Sequence, residues 1–299
     1  MKTLLVVGCS PAWERGIRFP SLTLGEVNRA AECWEYPAGK ATNLCRAMGY
    51  WGGNACQAIL LTCLGGPRGT RFQEACREEG IFFKAVECRG ETRLCTNILS
   101  PHGMTELVEE APPLSPSERK RFLETLTLCL EDAQALALAG NFPPETPDDF
   151  PQEIARRAAS QGKLLFLDNG RHFPTMAKLC PNLVLKINRK ELEALCPGEE
   201  SLPKAMEKLG KRYPEATLGV TDEAKEAWLL LPGETHPRAF PVPKASPFVN
   251  SLGAGDTASG VFFAEMLSGT APEEAFRRGL QAASLSCQTR VAGEFHWPQ

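Results

Sequence analysis

The run from residue 55 to residue 86 constrains the fold more than any other stretch. Residues 55–64 are largely apolar and close on Gly65-Gly66. Residues 69–79 bring Phe72, Ala75 and Cys76 onto one helical face and stop at Gly80, and residues 81–86 are apolar again. Strand, helix and strand in such short order make a βαβ unit. Its two strands must run parallel, because the helix carries the chain back to the end where it began.

The alternation continues along the chain. Residues 4–7 read as a buried strand ending at Gly8, and Ser115-Pro116-Ser117-Glu118 is a capping box with proline at the first helical position. Strands follow at 136–139, 164–167, 183–186, 216–220 and 228–231, with helices at 151–161, 202–209 and 271–289. A further helix over residues 41–48 ends at Gly49. Such a chain folds as a doubly wound, mostly parallel α/β sheet. Only two segments break the rhythm. Residues 12–36 and 90–110 carry short alternating stretches with glycine and proline turns, the pattern of small excursions of strands. No repeat or low-complexity segment divides the 299 residues, so 1–299 reads as one unit.

Composition narrows the function classes. The net charge is −3 and no basic block stands out, which removes the electrostatic footprint of a nucleic-acid binder. No apolar run reaches the ~20 residues that cross a bilayer, and residues 1–8 are too short and too quickly interrupted for a signal peptide. Twelve cysteines form no C-x-x-C, and the four histidines add no zinc pattern. They read as small buried hydrophobes with free thiols, in keeping with a reducing cytoplasm.

The chemistry concentrates in Asn250-Ser251-Leu252-Gly253-Ala254-Gly255-Asp256, which follows a proline-rich loop and precedes an apolar helix. Glycines let a backbone approach a ligand closely. Amides at a helix start bind anions, phosphate above all. Asp256 at the same spot can take a proton from a hydroxyl. A second constellation, Gly39-Lys40-Ala41-Thr42-Asn43, also opens a helix. A lysine there opposes the helix dipole, a local conflict that suggests an anionic ligand.

Gly-Ala-Gly-Asp before a C-terminal helix resembles the signature of the PfkB/ribokinase family of carbohydrate kinases. Asn250-Ser251 is similar to the branch of 1-phosphofructokinases and tagatose-6-phosphate kinases. The resemblance covers nearly the whole chain and implies a ribokinase-like fold and an ATP- and Mg²⁺-dependent kinase of a ketohexose phosphate. It implies that Asp256 is the base and that Gly253, Ala254 and Gly255 cradle the transferring phosphoryl group. It implies that Glu14, Gly39, Lys40, Asn43, Arg93 and Gly140 bind the sugar, with Arg93 on its phosphate. It also implies that Asn188, Thr221, Asp222, Gly253 and Gly255 bind the nucleotide and that Glu191 serves magnesium indirectly. Asn188 and Glu191 are, in addition, a capping box. The resemblance further implies that the strands of 12–36 and 90–110 form a small β-strand lid over the sugar and pair between two subunits of a homodimer.

Several positions depart from the branch pattern. Ser10 and Glu14 stand for its Asn and Asp, Ala41 for a Gly, and Cys95 and Asn97 for the Asn and Lys that follow Thr92-Arg93. Glu223 and Glu226 replace two glycines of the nucleotide turn, with Lys225 placed to neutralise one of them. The missing lysine favours a kinase of an unphosphorylated sugar or nucleoside. The two glutamates favour a non-catalytic relative that binds a sugar or nucleotide.

Overall fold

The computed structural model describes residues 1–52 and 56–296. Its main sheet contains β1 (Lys2–Gly8), β4 (Cys56–Leu64), β5 (Phe83–Glu87), β8 (Ala135–Ala139), β9 (Leu164–Asp168), β10 (Val184–Asn188), β11 (Thr217–Asp222), β12 (Glu226–Leu230) and β13 (Arg238–Phe240). The order is β13-β12-β11-β10-β9-β8-β1-β4-β5. Every pair from β11 to β5 is parallel, whereas β12 and β13 are antiparallel to their neighbours. The chain leaves β1 for β4 on one side and later returns to β8 on the other. The β1–β8 seam is therefore the switch point, where two crossovers leave in opposite directions and open a crevice beyond the carboxyl ends of the strands.

Both faces of the sheet are covered. On one, Leu5, Val7, Leu136 and Leu138 pack with Phe122 of α3 (Pro116–Asp132) and Ile154 of α4 (Asp149–Ser160). On the other, Leu4, Val6 and Phe166 pack with α1 (Lys40–Trp51), α8 (Ala254–Ser268) and α9 (Pro272–Ser286). Helix α8 is buried on nearly every side. Phe262 and Phe263 are fully enclosed, each contributing about 1.5–3 kcal/mol of hydrophobic stabilisation. This sequence forms a central, buried helix because it carries apolar and small residues all round.

The lid is a separate four-stranded sheet, ordered β3 (Glu32–Ala38), β2 (Ala12–Arg18), β6 (Arg93–Ser100), β7 (Gly103–Val108). Opposite Glu14 lie Tyr36 on one side and Cys95 on the other.

Some boundaries differ from the expectations. Helix α1 does not stop at Gly49; it runs on because Trp51 packs with Ala47, Val261 and Phe295, and Gly52 ends it at φ 69°. Helix α2 (Gly66–Glu78) starts three residues before the expected 69, with Pro67 in its first turn. The last helix ends at Ser286 rather than 289, and β5 begins at Phe83 rather than 81. Three short elements carried no clear periodicity: α5 (Phe173–Leu179), α6 (Arg189–Leu195) and β13. Helix α7 spans Leu202–Arg212. The expected start of β4 at Ala55 lies outside the described residues. Among the described residues no helix is long and apolar enough to cross a membrane, and all twelve cysteines are free.

Candidate active site

Three chain segments meet at the switch point. The first is the turn from β3 into α1. Gly39 caps α1 at φ 108°, and a Cβ there would fall 3.2 Å from the Pro11 Cα and 3.3 Å from the Ser10 oxygen. Lys40 follows at once. From β8, Gly140 at φ 82° would bring a Cβ within 3.3 Å of the Lys40 side chain. Gly140 thus leaves room for the Lys40 side chain, and Gly39 lets the α1 start lie against the Ser10-Pro11 backbone. Its Nζ stands 3.3 Å from Asp168 Oδ1 and 3.3 Å from Glu191 Oε1. Asp168 beside it holds the Lys40 ammonium well above the usual lysine range.

The second segment is the start of α8. Gly253 turns the chain at φ 68°, where an added Cβ would lie 2.5 Å from the Ala292 Cβ. The Ala254 amide donates to the Ser251 carbonyl at 3.2 Å. Among the described residues, none accepts a hydrogen bond from the amides of Gly253, Gly255 or Asp256. Those amides sit at the positive end of the helix dipole, an arrangement that holds anions. Asn250 is structural: its Oδ1 accepts from the Leu252 amide at 2.8 Å and its Nδ2 donates to the Thr289 carbonyl at 2.9 Å.

Asp256 is buried. Its Oδ2 accepts from Asn43 Nδ2 at 2.8 Å. Burial, then the neighbouring Asp168 carboxylate, raise its pKa to about 6; Lys40, Asn43 and Lys186 pull the other way.

Two residues of this cluster had no assigned role in the sequence reading. Lys186 is fully enclosed beneath α8 and donates to the Gly255 carbonyl at 3.0 Å, with its ammonium destabilised chiefly by burial. Asp168 is 2% exposed, and its Oδ2 has no partner among the described residues. The available signal was positional: an acid at the carboxyl end of a central parallel strand lies where α/β sheets bind ligands.

The third segment is the lid. The buried Glu14 takes hydrogen bonds on one oxygen from the Tyr36 hydroxyl, at 2.7 Å, and from the Asn97 amide. Burial lifts its pKa to about 7. Arg93 spends three donors on backbone carbonyls: Ser10 at 3.1 Å, Pro11 at 3.4 Å and Glu109 at 3.1 Å. With five N–H donors in all, its guanidinium keeps capacity for a ligand. A cleft of about 270 Å³ lies between lid and sheet, lined by Ser10, Gly39, Lys40, Arg93, Gly140 and Asn141 among others.

Away from the cleft, Asn188 and Glu191 form the reciprocal cap, at 2.9 and 3.0 Å, while the second Glu191 oxygen reaches Lys40. Thr221 lies level with Asn188 on the adjacent parallel strand. Asp222 is tied to Arg189 at 3.0 Å and to Lys225 at 3.6 Å, so Lys225 neutralises Asp222 and not a glutamate. Glu223 holds φ 51° without being glycine. Glu226 accepts from the Trp228 indole at 2.9 Å and stands 3.9 Å from Arg189.

Comparison with known proteins decides what this site belongs to. The family model of "pfkB family carbohydrate kinase" matches residues 13–299. The chain belongs to the pfkB family of carbohydrate kinases. It is a phosphotransferase acting on a carbohydrate, and membership carries ATP- and Mg²⁺-dependent kinase activity in general. A 1-phosphofructokinase of Bacillus subtilis (strain 168) is 28% identical over 297 residues, 97% of this chain and 94% of that protein. Among solved structures, phosphofructokinase-2 of Escherichia coli in complex with fructose-6-phosphate matches with a TM-score of 0.83 at 20% identity, over 96% of this chain and 94% of that one. A possible 1-phosphofructokinase of Thermotoga maritima matches with a TM-score of 0.84 at 20% identity, over 99% and 94%.

Magnesium bound with a nucleotide takes one or two protein carboxylates and keeps several waters. Asp168, with its unpartnered buried oxygen, and Glu191, joined to it through Lys40, fit that need. Among the described residues no three acidic, histidine or cysteine side chains cluster to cage a metal alone.

Proposed function

We propose that this protein transfers the γ-phosphoryl group of ATP to a hydroxyl of a ketohexose phosphate of the fructose 1-phosphate or tagatose 6-phosphate type. The observation that carries the reading is a buried carboxylate, Asp256, beside free helix-start amides and bonded to Asn43 of the helix whose start, Gly39-Lys40, lines a cleft together with Arg93. A base near the phosphoryl cradle and a guanidinium on the lid suit an acceptor with a hydroxyl at one end and a phosphate at the other.

Asp256 accepts the hydroxyl proton, and the Asn43 amide holds its carboxylate in place. The amides of Gly253 and Gly255, with Ala254 shaping the turn, face the charge that gathers on the transferring phosphoryl group. Glu14, steadied by Tyr36 and Asn97, accepts from sugar hydroxyls. Gly39 and Gly140 keep the backbone close to the sugar. Asn188, Thr221 and Asp222 line the nucleotide end. Glu191 and Asp168 would hold magnesium, which would supply neutralisation of phosphate charge. A relative 28% identical over 297 residues, a 1-phosphofructokinase, supports this acceptor class.

Asn97 favours a second reading, a kinase of an unphosphorylated sugar, because an amide stands on the lid where a cation would serve a phosphate. The test is ATP consumption with fructose 1-phosphate, tagatose 6-phosphate, fructose 6-phosphate and fructose, in the native protein and in Arg93→Ala. The first reading expects turnover on a ketohexose phosphate and a loss in Arg93→Ala confined to phosphorylated acceptors. Equal turnover on fructose, unchanged by Arg93→Ala, overturns it in favour of the second. No ATP consumption with any acceptor overturns both.

A further inference from the structure

Arg46 is 3% exposed, an unusual place for a guanidinium, and every part of it is engaged. Its Nη1 donates to Asn43 Oδ1 at 3.2 Å and to the Ala292 carbonyl at 2.8 Å. Its Nη2 donates to the Pro37 carbonyl at 2.5 Å, and its Nε to Glu79 Oε2 at 2.7 Å. The guanidinium carbon also stands 5.5 Å from the Tyr36 ring centre.

These partners belong to the segments that build the active site. Pro37 opens the turn that carries Gly39 and Lys40. Ala292 is the residue against which Gly253 is packed. Asn43 is the hydrogen-bond donor to Asp256. The amide of Asn43 has nearly the same shape in its two orientations, and only one suits Asp256. Turned over, it would set a carbonyl oxygen against the Asp256 carboxylate and an NH₂ against a guanidinium that has no acceptor.

We propose that Arg46 is a positioning residue: by donating to Asn43 Oδ1 it fixes the orientation in which the Asn43 amide donates to Asp256, and it holds that pair in register with the Lys40 turn and the Gly253 turn. The inference rests on the reading of Asp256 as the base. Lysine cannot replace Arg46, because it is a single point of donors, whereas the guanidinium plane serves Asn43, Pro37, Ala292 and Glu79 at once.

The consequence is electrostatic as well as geometric. The groups that act on Asp256 are Asp168 and the lid carboxyl Glu14, which disfavour its charge, and Lys40, Lys186 and Asn43, which favour it. Removing the Asn43 donor leaves burial and Asp168 less opposed, so the carboxyl binds its proton more tightly.

The test uses the full chain. Arg46→Lys, Asn43→Leu and the double variant are compared with the native protein for KM of ATP, KM of the acceptor sugar phosphate, and the pH profile of kcat. The Asp256 carboxyl is titrated separately by ¹³C NMR on aspartate-labelled protein, assigned through Asp256→Asn. This readout needs no turnover, so it still judges the proposal if the acceptor assignment fails. Expected for Arg46→Lys is a kcat roughly tenfold lower at neutral pH, little change in KM for ATP, and an Asp256 midpoint raised by about one unit. Asn43→Leu should raise it as far, and the double variant no farther. Should Arg46→Lys fail to fold, Arg46→Gln combined with Glu79→Gln removes the buried guanidinium and its carboxylate partner together and is read the same way. An unmoved Asp256 midpoint, or shifts that add in the double variant, overturns the proposal and leaves Arg46 a structural brace.

Discussion

Asn43 and Asp256 lie 213 positions apart and meet through a 2.8 Å hydrogen bond across the packed helices α1 and α8. The bond favours the charged form of a carboxyl that burial pushes toward its protonated form. Asp256→Asn should lower turnover roughly 10²–10⁴-fold, the usual worth of a positioned base, with the fold intact.

The same substitution should change stability with a definite sign. The Asp256 pKa is raised from 3.8 to about 6 on folding. Between those values the native state holds a proton that the unfolded chain has lost, so this group's contribution falls as pH rises through the window and stays low above it. Asparagine cannot ionise. Asp256→Asn should therefore melt higher than the native protein at pH 8, and the difference should shrink toward pH 4. A melting difference that grows as pH falls would contradict the buried-carboxylate account.

Glu14 has its pKa raised to about 7 by burial, against the pull of Tyr36 and Asn97. A carboxylate accepts sugar hydroxyls more strongly than a neutral acid does. KM for the acceptor should rise several-fold between pH 8 and pH 6, and Glu14→Gln should show a higher KM with a flatter profile. The same pH slope in Glu14→Gln assigns the titration to another group.

Glu226 is held by the Trp228 indole, and Glu223 lies at an exposed turn. Neither is an unpaired buried acid, and exposed charges are screened within about 10 Å at moderate salt. Replacing both with glycine should change ATP affinity only slightly, and more at low salt than at high. Calorimetric titration at two salt concentrations measures it. Undetectable ATP binding by the native chain, restored in the double variant, would mark a protein that has given up catalysis.

Gly253→Ala tests the anion cradle. The new Cβ would sit at φ 68° and 2.5 Å from the Ala292 Cβ, so either the α8 turn or the loop holding Ala292 must move. A loss of about 1–3 kcal/mol in urea unfolding is expected, along with a fall in kcat. Native stability and turnover would mean that the turn tolerates the shift.

By itself the sequence determined the alternation of strands and helices, both capping boxes and the helix-start glycines. Those signals act over a few residues: apolar periodicity, a side chain that satisfies an amide three positions on, a glycine where φ is positive. The capping box at Asn188 was legible for that reason, and Asp256 and Lys40 stood out because each sits at a helix start. Only the tertiary structure decided that α1 runs past Gly49 to Gly52, because what extends it is the packing of Trp51 against Val261 and Phe295. Only strand order brought Asp168 and Glu191 to Lys40, set Lys186 under Gly255 and aimed Arg46 at Asn43. In the sequence these are an acid after a strand, a lysine inside one and an arginine on a helix. Their meaning comes from burial and from partners far along the chain, because the energy of a buried charge depends on what surrounds it in space and not on its neighbours in sequence.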